Sequence, residues 1–355
     1  MQQLKICYEG FSHLKENIAI PAEGRILLVT GAHIRNYAAR TMLANFPKAV
    51  VAVTETPRGL LEKSLLKQEA ERIDRKDTII AIGGGSTIDY AKGLLYYLPD
   101  KAKQPFFLAI PTTAGSGSEA TDFAVVYEKG VKASLVKPSL LPNAVLLDAS
   151  LLEGLSCRQK VISGSDAIAQ CIESLWNKFA TEESKAFAGR GLKLLWNMLP
   201  HFAGSDDPEL AEKMLEGAHL SGKAIAITKT TGPHALSYFL TSRLGVPHGQ
   251  AVACFLPLFF LYNFGVGEDH STASDIIFQL IGAEKPAEGF PILHRFFAAL
   301  DLPITLSELG VEREMIPELV RSVNLERFAN NPVAFDADRL ENLILQYCFT
   351  DVSLL

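Results

Sequence analysis

Four side chains able to bind a metal occur as two pairs, Asp166 with Gln170 and His234 with His248. Asp166 and Gln170 are four positions apart, which on a helix puts both on one face. His234 and His248 bracket a stretch long enough to end one helix, turn and begin another. Carboxylate, amide and imidazole ligands in this mixture suit a borderline divalent cation such as Fe²⁺ or Zn²⁺. Any one of them alone reads as a structural side chain; the set gains meaning from two glycine-rich segments upstream.

The first of these segments, TIIAIGGGSTIDYAKG at residues 78–93, is an apolar strand ending near Ile82, then Gly83, Gly84 and Gly85, then a helix opened by Ser86 and Thr87. Glycine lets the backbone approach a phosphate closely, and amides at a helix start carry partial positive charge. The spacing is neither G-x-G-x-x-G nor a Walker loop, so a tight turn is the plain alternative. The second segment, PTTAGSGSEAT at residues 111–121, also follows a strand and offers the hydroxyls of Thr112, Thr113, Ser116, Ser118 and Thr121. Two such loops at the carboxyl edges of adjacent parallel strands form the crevice where open α/β sheets bind dinucleotides. A Gly/Ser-rich surface loop is the plain alternative there.

The elements that must position these groups differ between the two parts of the chain. Residues 25–31, 49–54, 78–84, 106–112 and 144–149 are short runs rich in Ile, Leu and Val, and helical patterning such as 58–73 lies between them. This alternation predicts a doubly wound parallel sheet. Residues 123–136 read as a β-hairpin turning at Lys129 and Gly130. From about Cys157 apolar positions recur every three to four residues, and helix starts are signalled at Thr181 and at Asp207–Pro208. The prediction is an α/β nucleotide-binding domain over 1–157 and an all-helical metal and substrate domain over 158–355.

Composition narrows the function classes. With 355 residues, two domains are expected. Hydrophobic residues at 48% against 21% charged describe a chain that buries cores. A net charge of −6 gives no electrostatic reason to bind nucleic acid or an anionic membrane. Five scattered cysteines with no C-x-x-C read as reduced thiols, and the N-terminal residues lack the basic start and apolar run of a signal peptide, so a cytoplasmic location is expected. The most apolar stretch, 251–267, contains Pro257 and Asn263 and is shorter than a bilayer span, which predicts a buried helix.

Together, GGGSTIDYAKG, PTTAGSGSEAT, GSDAIAQCIES and HALSYFLTSRLGVPHG resemble the iron-containing (group III) alcohol dehydrogenase family, from the first strand to about Asn263. The resemblance implies that Gly84, Gly85, Ser86 and Asp89 hold the pyrophosphate and nearby ribose of NAD or NADP. It implies Thr112 and Thr113 near the adenosine half, Ser116 and Thr121 nearer the nicotinamide, and Lys132 reaching the cofactor. Asp166, His234 and His248 fall on three of the four family metal ligands. The wording is most similar to the phosphonoacetaldehyde reductase branch, which implies reduction of a short anionic aldehyde to 2-hydroxyethylphosphonate, and relatives that are homodimers or larger.

Three positions depart from the family pattern. Gln170 stands where His is usual, giving a weaker neutral ligand. Tyr238 replaces a second His; its phenol can pass a proton, although a pKa near ~10 makes it a poor base. Gly31 stands where many relatives carry Asp, which removes repulsion against a 2′-phosphate and favours NADPH. A dianionic substrate needs donors, for which Lys229, Thr230 and Thr231 are candidates ahead of Arg243 and Lys223. Other readings stand beside this one: a dehydrogenase for another short aldehyde or a sugar-acid alcohol, a dehydroquinate-synthase-like lyase, and a non-catalytic nucleotide-binding protein whose metal site decayed through Gln170.

Overall fold

Alternate residues of the central strands bury themselves on opposite faces of one sheet, and this determines the first half of the molecule. The computed structural model describes residues 3–21, 25–71, 73, 78–98, 104–265 and 272–349. Contacts gather the chain into two compact units, Met1–Gly154 with Asp206–Gly222, and Leu155–Ser205 with Lys223–Leu355.

In the first unit, β1 (Gln3–Cys7), β2 (Arg25–Thr30), β3 (Val50–Glu55), β4 (Thr78–Gly83), β5 (Phe106–Pro111) and β8 (Ala144–Asp148) form a parallel sheet in the order β1-β8-β5-β4-β2-β3. A strand sends successive side chains to opposite faces. Ile26, Leu28, Ile80, Ile82, Leu108 and Ile110 therefore pack on one face with Phe11, Leu14, Ala38 and Met42, from or beside α1 (Leu14–Asn17) and α2 (Arg35–Asn45). Leu27, Val29, Ile79, Ala81, Phe107 and Ala109 pack on the other with residues of α3 (Lys63–Ala70) and α4 (Gly85–Tyr96). Each buried Val, Leu, Ile, Phe or Met side chain among them contributes roughly 1.5–3 kcal/mol. The fold is thus doubly wound.

The hairpin of β6 (Phe123–Glu128) and β7 (Val131–Val136) turns at Lys129 and Gly130, both with positive φ (54° and 78°), the backbone that a two-residue hairpin turn demands. Two details differ from the sequence expectation. β1 was not anticipated. The helix expected over 58–73 begins only at Lys63, because Gly59 takes a φ of 89° and Glu62 bridges to Tyr127; position 72 lies outside the described residues.

Beyond residue 154 the described elements are helical: α5 (Cys157–Trp176), α6 (Glu182–Ala203), α7 (Pro208–Thr228), α8 (Gly232–Leu244), α9 (His248–Phe264), α10 (Thr272–Ile281), α11 (Gly289–Ala298), α12 (Ile316–Arg321), α13 (Leu325–Phe328) and α14 (Ala337–Tyr347), with short 3₁₀ turns. α5 and α6 both start with capping boxes, Ser156 with Gln159 and Thr181 with Ser184. α9 continues through Pro257 and is buried along nearly its whole length; Val266 and Gly267 of that apolar stretch lie outside the described residues. Among the described residues no helix is long and apolar enough to cross a membrane.

Candidate metal and nucleotide sites

Two close helix approaches assemble the candidate metal site in the second unit. A Cβ on Gly249 would lie 2.1 Å from the Ile162 carbonyl oxygen and 3.2 Å from Asp166 Cβ, so only glycine lets the first turn of α9 press against α5. A Cβ on Gly232 would meet the Phe259 ring at 1.8 Å, which ties the start of α8 to α9 in the same way. These contacts bring His234 and His248 together, with ring centroids 5.3 Å apart at 74°.

Ligand atoms of Asp166, His234 and His248 all lie within 4.8 Å of one another. His234 Nε2 is 3.3 Å from Asp166 Oδ1, and its Nδ1 is held by Glu173 Oε1. Glu173 is fully buried, and its Oε2 accepts from the Thr231 amide at 2.6 Å and from Thr231 Oγ1 at 2.8 Å. Trp176 Nε1 in turn donates to Thr231 Oγ1 at 2.9 Å. Burial by itself lowers the pKa of His234, but the carboxylates of Glu173 and Asp166 outweigh it and lift the pKa to about 9. Their field favours a positive charge at the outer edge of the imidazole.

The donor set fits a divalent cation. It joins two imidazoles and a carboxylate, with a carboxylate fixing the far nitrogen of one imidazole, which is the usual way a ligating histidine is oriented. Gln170 is buried one helical turn beyond Asp166, on the same face. Glu173 escaped the sequence reading; the signal was a carboxylate seven residues after Asp166, on the same face of a mostly apolar helix.

The other expected residues of this unit are placed as follows. Tyr238 is half-buried, one turn after His234 on α8. Lys229 follows the last residue of α7 with a φ of 62°, and its ammonium turns back to the Ala226 carbonyl at 3.2 Å. Thr230 is buried, and its carbonyl accepts from Asn330. Lys223 lies over the Phe187 ring at 3.9 Å, and Arg243 faces Glu318 at 3.7 Å.

In the first unit, β4 ends at Gly83 and Gly84 caps α4 without a side-chain bond. A Cβ on Gly85 would lie 2.5 Å from Ser116 Oγ, and one on Gly84 would lie 3.5 Å from Thr113 Oγ1, so the two polar loops interlock through these glycines. The Thr112 amide donates to Gly83 O at 3.0 Å. Ser86 follows in the first turn of α4.

Asp89 accepts from Ser118 Oγ and from the Val125 amide, both at 3.0 Å. Burial raises its pKa, opposed by the charge of Lys92 and, more weakly, that of Lys132 on β7. Lys92 was not singled out from the sequence. Its ammonium is fully buried and donates to Thr121 O at 2.7 Å, Thr121 Oγ1 at 2.8 Å, Phe123 O at 2.9 Å and Ser118 O. Asp89 and Thr121 therefore belong to a network that fastens the second loop to α4.

The same loop is gripped from α7 as well. Gly117 takes a φ of 62° and backs onto Gly222, where a Cβ would sit 2.4 Å from Cα, and buried Glu119 meets His219 at 3.2 Å.

Residues 8–149 match the family described as iron-containing alcohol dehydrogenase, and residues 160–348 match the C-terminal part described as Fe-containing alcohol dehydrogenase family. Phosphonoacetaldehyde reductase of Streptomyces viridochromogenes is 30% identical over 307 residues, spanning 77% of this chain and 76% of the relative. Maleylacetate reductase 1 of Cupriavidus pinatubonensis is 31% identical, over 78% of this chain and 76% of the relative. Sulfoacetaldehyde reductase from Bifidobacterium kashiwanohense, solved in complex with NAD⁺, superposes with a TM-score of 0.86 at 24% identity, covering 99% of this chain and 98% of that one.

Proposed function

The chain belongs to the iron-containing alcohol dehydrogenase family and is an NAD(P)-dependent, divalent-metal oxidoreductase of the alcohol/aldehyde type, and on that footing we propose that it reduces a short anionic aldehyde, phosphonoacetaldehyde to 2-hydroxyethylphosphonate foremost. The observation that carries the reading is the convergence of Asp166, His234 and His248 with Glu173 behind His234. The likeness to a phosphonoacetaldehyde reductase supports the choice of substrate.

Asp166, Gln170, His234 and His248 would hold the metal. When bound, the ion supplies Lewis acidity at the aldehyde oxygen and the reduced nicotinamide supplies the hydride, so that aldehyde, NAD(P)H and a proton give alcohol and NAD(P)⁺. Glu173 fixes the ring orientation of His234 and raises its basicity as a ligand. Tyr238, one turn along the same helix, is assigned delivery of the proton to the developing alkoxide; its phenol is both donor and acceptor. Lys229 and Thr230 are assigned to the phosphonate oxygens, since an ammonium and a hydroxyl are the donors that a dianion needs.

On the nucleotide side, Gly84, Gly85 and Ser86 would receive the pyrophosphate at the start of α4. Thr112, Thr113 and Ser116 would line its path, and Lys132 would reach the cofactor. Asp89 and Thr121 act through the loop they fasten, and Gly31 would lie near the adenosine ribose. A cytoplasmic location and a homodimer or larger assembly complete the proposal.

A panel of phosphonoacetaldehyde, sulfoacetaldehyde, succinic semialdehyde and propionaldehyde, assayed by NADH and NADPH oxidation with Fe²⁺, Zn²⁺ or Mn²⁺, tests it. The phosphonate is expected to give the highest kcat/KM. A preference for the uncharged aldehyde, or consumption of substrate with no net loss of reduced cofactor, would reject it; the latter result indicates the lyase reading.

A further inference from the structure

The second glycine-rich loop runs into a short 3₁₀ turn, Ser118–Ala120, whose middle residue is Glu119. A carboxylate in the interior is costly unless a donor meets it. Glu119 is buried, and its Oε1 accepts from Nδ1 of His219, also buried, at 3.2 Å. His219 lies on α7, in the segment 206–222 that gathers with the first unit. Three residues further along α7, on the same helix face, Gly222 meets the loop backbone. A Cβ on Gly222 would lie 2.4 Å from the Gly117 carbonyl oxygen, and Gly117 holds a φ of 62° there. α7 therefore grips the loop twice, once glycine against glycine and once by a buried hydrogen bond.

The two grips differ in what they fix. Backbone packed on backbone sets a distance. A hydrogen bond to a carboxylate sets a direction as well, so the pair of Glu119 and His219 determines how the 3₁₀ turn is rotated. That rotation is passed on to the site. The Ser118 amide donates to Ser116 Oγ at 3.3 Å, and the same oxygen lies 2.5 Å from where a Cβ on Gly85 would stand. A short path thus leads from His219 through Glu119 and the turn to Ser116 Oγ, which borders the glycine turn at the start of α4.

Resting on the reading of the glycine turn and the second loop as the nucleotide site, we propose that His219 is a positioning residue for the nucleotide: through Glu119 it holds Ser116 against the glycine turn in the setting that receives the cofactor. Without His219 the loop divides its time among several settings, and the apparent affinity falls with the fraction spent in the receptive one.

Replacement by asparagine and by glutamine separates this role from packing. An asparagine amide nitrogen stands near the place of histidine Nδ1, and a glutamine amide nitrogen near that of Nε2. NADH and NADPH are titrated calorimetrically into the full chain, without metal or aldehyde and well below the unfolding temperature, so the result is independent of the substrate assignment. His219→Asn is expected to stay within about twofold of wild-type affinity for both nucleotides, whereas His219→Gln and His219→Leu lose about tenfold, the worth of one hydrogen bond. Zn²⁺ affinity, read against a chromophoric chelator, should be the same in all four proteins.

Equal nucleotide affinity in the Asn and Gln variants, or an unchanged affinity in His219→Leu beside a lowered Tm, would overturn the positioning role and leave the pair as packing. A parallel fall in Zn²⁺ affinity would overturn it too, as general damage. If His219→Leu does not fold, the contrast between the two neutral polar variants decides alone. Binding of neither nucleotide by the wild-type protein would remove the reading of the two loops, a result distinct from the failure of His219, which leaves wild-type binding intact.

Discussion

The Nδ1 edge of His234 rests on Glu173, a carboxylate with no exposed surface, whose other oxygen is taken by the backbone and hydroxyl of Thr231. Because both carboxylate oxygens are committed, the imidazole has one rotational setting, and its Nε2 is turned toward Asp166. Glu173→Gln keeps the shape and removes the charge. Metal affinity is expected to fall about 10–100-fold, as for other partners that orient a ligating histidine. Titration with Zn²⁺ against a chromophoric chelator measures this, and an unchanged affinity would reject the orienting role.

Gly249→Ala should damage the metal cluster without touching a ligand. The added methyl would sit 2.1 Å from a backbone oxygen, which cannot rotate away, so α9 must shift against α5. A cost of about 1–3 kcal/mol is expected for such overpacking, read as a lowered Tm, together with weakened metal binding. Retention of both Tm and metal affinity would show that the contact is less tight than described.

Lys92→Met removes the ammonium that fastens Ser118, Thr121 and Phe123 to α4 and with it the charge that most opposes the effect of burial on Asp89. Buried acceptors left without their donor cost about 1–3 kcal/mol each. The double variant Asp89→Asn with Lys92→Met should recover part of that loss. Denaturant unfolding of the two variants, with nucleotide titration alongside, checks the coupling; strictly additive losses would contradict it.

Gln170→His replaces a neutral amide oxygen with a neutral imidazole nitrogen at the same position on α5. Tighter Zn²⁺ binding is expected, since imidazole is the stronger ligand for borderline cations. If the affinity stayed constant, Gln170 would be a packing residue and not a ligand.

The sequence revealed the sheet because strands buried on both faces must be continuous runs of aliphatic residues, as in Ile79, Ile80 and Ile82. It hid β1, an edge strand whose residues Gln3, Leu4 and Lys5 are exposed and carry no such pattern. Asp166, His234 and His248 stood out only as a set read together with the two glycine-rich loops, and the structure brings the three side chains together. Glu173 and Lys92 did not stand out, since a charged residue on a helix ordinarily points to water, and only the fold shows that these two are buried. The return of residues 206–222 to the first unit, with Gly222 against Gly117 and His219 against Glu119, rests on contacts distant in sequence that local periodicity does not encode.

The most direct measurement is aldehyde-dependent NADPH oxidation by protein stripped of metal and then reconstituted, for the wild-type chain and for His234→Ala and His248→Ala. Activity is expected to vanish on stripping, to return with Fe²⁺ or Zn²⁺ in the wild-type chain alone, and nucleotide binding is expected to survive in both variants. Near-normal turnover by either variant, or by the rigorously metal-free wild-type protein, would contradict the assignment of Asp166, His234 and His248 as the centre of the reaction.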